Sequence, residues 1–65
     1  MSETTAKVIL TRFTEGEDVS SLAVLFRDIA MLDLEDVLRW GLVRARASRN
    51  HQRQPTWGEY RRRKA

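Results

Sequence analysis

Large apolar side chains occupy half of the positions between Val8 and Val43, and beyond Val43 only Trp57 and Tyr60 offer comparable surface. Any hydrophobic core has to be drawn from that window, so the core-forming region is expected to end near residue 47, with the remainder reading as a tail. With 65 residues in all, there is room for one small domain and not for two.

Charge divides at nearly the same place. Residues 1–38 hold three basic and eight acidic side chains, 3 − 8 = −5, whereas residues 39–65 hold nine basic and one acidic, 9 − 1 = +8. An acidic body with a basic arm seeks phosphate, anionic lipid or an acidic protein surface. The alternative is internal or intersubunit pairing of the two halves.

Several function classes are excluded early. There is no cysteine, hence no disulfide and no thiolate metal site, and His51 is the single histidine. No run of about 18 apolar residues exists to span a membrane. Met1-Ser2-Glu3-Thr4-Thr5 lacks the basic stretch and apolar run of a secretory leader, so a cytoplasmic location is expected. Gly16, Gly41 and Gly58 are isolated, and no nucleophile–base constellation can be assigned. The expectation is a non-enzymatic protein with no cofactor, no metal and no small-molecule substrate. Asp33, Glu35 and Asp36 cluster, but a helix N-terminus attracts acid without any metal.

The elements expected are mainly helical. Residues 1–6 read as a flexible end. Lys7–Phe13 (KVILTRF) is rich in β-formers and reads as a short strand, 7–13. Thr14 and Glu17 fit a capping box, with Asp18 as competing cap, opening a helix over 15–32. Asp33 fits the cap of a second helix over 34–50, in which Gly41 would admit a close neighbour. Asn50–Gln54 reads as a linker, Pro55 as a stop, and Thr56-Trp57-Gly58-Glu59 as a second capping box opening a short helix, 57–64. The domain would span 7–50 and the basic arm 51–65.

Both long helices look apolar on two sides. Two such helices share a single interface and cannot bury both sides, so the chain is expected to be oligomeric or embedded in an assembly. Val8, Leu10, Phe26, Leu38, Trp40, Leu42 and Val43 are the interface candidates.

Arginine dominates the second half. Arg39, Leu42, Arg46, Arg49 and Arg53 recur at helical spacing, and the guanidinium fork matches phosphate and guanine edges. Arg44, Arg46, Arg49, Arg53, Arg61, Arg62, Arg63 and Lys64 are the candidate grip on nucleic acid, with Trp57 and Tyr60 as stacking surfaces.

The order strand, helix, helix over residues 7–50, with KVILTRF first and LDLEDVLRWGLVRARA in the second helix, resembles the ribbon-helix-helix repressors. That resemblance implies a homo-oligomer with a two-stranded ribbon in the major groove, Lys7 and Arg12 as groove-reading residues, and transcription regulation as the role. Two further readings stand beside DNA binding. One is a protein-interaction subunit, antitoxin-like, whose arm clamps an acidic partner. The weaker one is a peripheral membrane binder.

Overall fold

The computed structural model describes residues 1–64, with side chains through Arg63. Four helices follow in order: α1 (Glu3–Thr14), α2 (Val19–Leu25), α3 (Met31–Arg49) and α4 (Trp57–Lys64). No strand occurs among the described residues.

The expected strand at 7–13 is therefore helix, and with it the ribbon falls away. A short apolar run fits either period, and neighbouring residues decide. Ala6, Ile9, Leu10 and Phe13 follow the i, i+3, i+4, i+7 spacing, and Ala6 and Ile9 are fully buried. The Ser2 hydroxyl accepts the Thr5 amide at 3.2 Å, capping α1. Residues 3–6 thus belong to the helix. Lys7 and Arg12 lie exposed on α1, each beside an acid: Lys7 Nζ is 3.4 Å from Glu3 and Arg12 is 3.2 Å from Glu17.

The helix expected over 15–32 is shorter and starts later. Thr14 closes α1 instead of opening α2. The Gly16 and Glu17 amides turn back to the Phe13 and Arg12 carbonyls, and Gly16 adopts φ +110°, the left-handed conformation of a helix C-terminal stop. Asp18, the competing cap, opens α2 by accepting the Ser21 amide at 2.8 Å. After Leu25 the chain turns, and Phe26 and Ile29 pack on the core from that turn.

The helix expected over 34–50 begins three residues earlier. Ala30 is its N-cap and makes no side-chain cap bond, whereas Asp33 sits inside the first turn with its carboxylate directed to Arg61. Leu34, Val37 and Trp40 line the inward face of α3. Gly41 lets α1 come close: a Cβ there would collide with Leu10 Cδ1.

The second helix stop repeats the geometry of the first, with the wrong residue for it. The His51 and Gln52 amides bond back to the Ser48 and Ala47 carbonyls, and His51 takes φ +56°. Left-handed backbone costs a non-glycine residue about 1–2 kcal/mol, partly offset by the extra unfolded-state entropy of glycine. His51→Gly is expected to stabilise the fold by about 0.5–1 kcal/mol, read as a rise in melting temperature of about 2–8 °C.

The core joins all four helices. Ala6 and Ile9 of α1, Leu22 of α2, Leu34, Val37 and Trp40 of α3, and Trp57 of α4 form one cluster, flanked by Leu10, Ala23, Phe26, Ile29 and Tyr60. The apolar core thus extends past residue 47 to take in α4.

Candidate nucleic-acid interface

α4 carries the expected capping box. The Thr56 amide donates to Glu59 Oε1 at 3.0 Å and the Glu59 amide to Thr56 Oγ1 at 3.1 Å. Glu59 also receives both arms of Arg53, at 2.8 and 2.7 Å. Those Arg53 bonds, with the Thr56 amide, hold the Glu59 carboxyl far below its ordinary value, and Glu59 in turn raises Arg53.

The segment from Pro55 onward is fixed to the body at several points. Trp40 Nε1 donates to the Pro55 carbonyl at 3.0 Å, a buried bond. The Trp40 and Trp57 rings meet edge to face, centroids 5.4 Å apart, and Tyr60 stacks on Trp57 at 6.0 Å. The Trp57 amide donates to Glu3 Oε1 at 2.9 Å, placing an acid at the positive end of α4, and the Trp57 indole donates to the Met1 carbonyl at 3.3 Å.

This arrangement sorts the candidate grip. Arg44 lies over Trp40, 4.7 Å from the ring centroid, and donates to Gln54. Arg53 is held by Glu59. Arg61 bridges Asp33 and Asp36, both at 3.0 Å, and lies over Trp57. These three arginines are each engaged by a side chain of the same chain. Trp57 is 5% exposed and Tyr60 is half-buried against it, so the rings are engaged in the protein's own packing and not in stacking outward. Arg46, Arg49, Arg62 and Arg63 are exposed and form no ion pair among the described residues. The side chain of Lys64 lies outside the described residues.

The interface candidates also divide. Trp40 is 1% exposed and is a core residue. Leu10 and Phe26 pack against the core and Leu38 is half-buried, whereas Val8, Leu42 and Val43 are exposed.

The four outward arginines lie in the carboxyl-terminal halves of α3 and α4. After Asp36, α3 contains no acid. Arg63 lines a hollow with Val43, Pro55 and Tyr60, and Arg46 lies three residues beyond Val43 on the same side of α3. Arg49 follows Arg46 by another three. The only acid after Asp36 is Glu59, and Arg53 neutralises it. None of these four arginines has an ion-pair partner among the described residues. No group of three His, Cys, Asp or Glu side chains is placed to hold a metal among those residues, and none of the helices is long and apolar enough to cross a membrane.

Sequence reasoning missed the structural roles of Arg53 and Arg61. One signal was present: Glu59 had already been read as a capping-box acid, and an acid there attracts a nearby arginine. The pairing of Arg61 with residues 25 and 28 positions earlier leaves no local trace.

The carboxylates that anchor α4 predict an acid response. Glu3 lies below its ordinary 4.5, chiefly through the Trp57 amide, and Glu59 is lower still. A lowered carboxyl contributes stability above its unfolded value, and loses it as pH falls through the folded one. The attachment of α4 should therefore hold at neutral pH and weaken progressively below pH 4.5. Tryptophan emission shifting to the red over that range, before helical circular dichroism is lost, is the expected reading.

The chain matches no protein-family model, no curated protein and no solved structure.

Proposed function

We propose that this chain is a non-enzymatic nucleic-acid-binding protein that grips the phosphate backbone with Arg46 and Arg49 of α3 and Arg62 and Arg63 of α4. The observation that supports this is the sorting of its arginines. Those with a fold to hold are paired or laid on aromatic rings. Within the candidate grip, the four left over lie in the carboxyl-terminal halves of two helices, where no acid among the described residues pairs with them. Such cations attract a polyanion at range and exchange their counterions for phosphates.

The mode is sequence-tolerant. Phosphate contacts fix position and carry no base information, and the aromatic rings that would stack on bases are committed inside. Arg44, Arg53, Arg61, Trp57 and Tyr60 all make contacts within the chain, so the phosphate grip falls to the four arginines without such contacts. An accessory or architectural factor fits this better than a base-reading repressor.

Fluorescence anisotropy with a labelled random-sequence duplex, titrated across salt, tests the proposal. Four phosphate contacts predict that log K falls against log salt with a slope of about −3.6. Absence of binding at low salt, or binding indifferent to salt, would refute it.

A further inference from the structure

We infer that α3 also pairs with α3 of a second copy, antiparallel, about a two-fold axis level with Val37. The outer face of α3 carries Leu32, Glu35, Arg39 and Leu42 at 3-4-3 spacing, the seam of a paired helix. Leu32 and Leu42 are 73% and 72% exposed, the two highest values, with Val24, among the large apolar residues noted on the surface. Glu35 and Arg39 are exposed and form no ion pair among the described residues, although they lie one turn apart. Nothing in the fold of the single chain explains this face.

A second copy of the same face does. In an antiparallel pair centred on residue 37, positions whose numbers add to 74 lie level. Leu32 then meets Leu42 of the second copy, since 32 + 42 = 74, and Glu35 meets Arg39, since 35 + 39 = 74. The two-fold repeats each contact. Four layers result, leucine pairs at the outside and two opposite-charge pairs within. Met31 and Val43, also level and also exposed, border the leucines. The overlap from Met31 to Val43 runs about 18 Å, at 1.5 Å per residue.

Two other arrangements of the same face lose these pairings. A parallel pair in register places Glu35 on Glu35 and Arg39 on Arg39. A slip of one heptad toward the carboxyl end places Leu42 opposite Arg39 and Leu32 opposite Arg49. Only the register at Val37 satisfies both the leucines and the charges among these three. The inference is independent of the nucleic-acid reading, whose α3 arginines lie beyond Val43.

The seam is short, so a weak, concentration-dependent dimer is expected. Sedimentation equilibrium from micromolar to millimolar chain should show mass rising from one chain toward two. Glu35→Arg or Arg39→Glu alone replaces two attractive contacts with two repulsive ones, and should raise the dissociation constant by about tenfold or more. The double variant Glu35→Arg, Arg39→Glu restores opposite charges at both contacts and should restore the dimer. Leu42→Ser, at a position open to solvent in the single chain, should leave the fold intact by circular dichroism and abolish pairing. A wild-type chain monomeric at every concentration, single reversals without effect, or a double reversal that fails to restore pairing would each overturn the inference.

Discussion

Trp57→Ala should lower the melting temperature by at least about 12 °C, and in some solvent conditions leave most molecules unfolded. Truncating a buried tryptophan costs about 3–5 kcal/mol, and one kcal/mol moves a domain of this size by about 4–8 °C. A chain of 65 residues has about 3–10 kcal/mol to lose. Trp57 touches Trp40, Tyr60 and Arg61, and its indole reaches the Met1 carbonyl. Its removal takes the apolar cover from one side of the core. Trp57→Phe keeps most of that cover and loses the indole bond, so about 1 kcal/mol is expected there. If α4 were an arm lying free of the body, both variants would melt like the parent. Thermal circular dichroism distinguishes the two pictures.

The second large effect concerns the outward arginines. In counterion-release terms one phosphate contact is worth about fifteenfold at about 50 mM salt, so Arg46→Ala with Arg63→Ala should weaken duplex binding about 200-fold there and halve the salt slope to about −1.8. Arg61→Ala is the contrasting variant. It removes a guanidinium from the buried Asp36 carboxylate and should cost about 1–3 kcal/mol of stability, less than a wholly buried pair because Arg61 is itself half-exposed. Its slope should remain that of the parent. Anisotropy titrations on folded protein, with melting curves for each variant, read both quantities. A slope lowered by Arg61→Ala and not by the pair would relocate the grip.

These two effects show where local sequence carries the answer and where it does not. The capping box at Thr56–Glu59 and the short helix after it are legible because four consecutive residues contain the whole interaction. The close approach at Gly41 is legible for the same reason, since only the absence of a side chain is needed. KVILTRF is not. Its β-branched residues favour a strand, and the evidence for a helix lies outside it, in the Ser2 cap and in Ala6 completing the buried stripe. Asp33 looks like a cap in sequence and is drawn to Arg61 in space. Among the arginines the type of residue was informative and the role was not. A cation held by a carboxylate 25 residues away reads in sequence like one facing solvent.

The bond from the Trp57 amide to Glu3 spans 54 residues of chain. Synthesis proceeds at about 5–20 residues per second, so about 3–11 s separate the appearance of these two partners. Through that interval the apolar stripe of α1 has been made and the tryptophan that completes its cover has not. The nascent chain therefore waits with Ala6, Ile9 and Leu10 incompletely enclosed, and the domain closes in one late step when the last helix arrives.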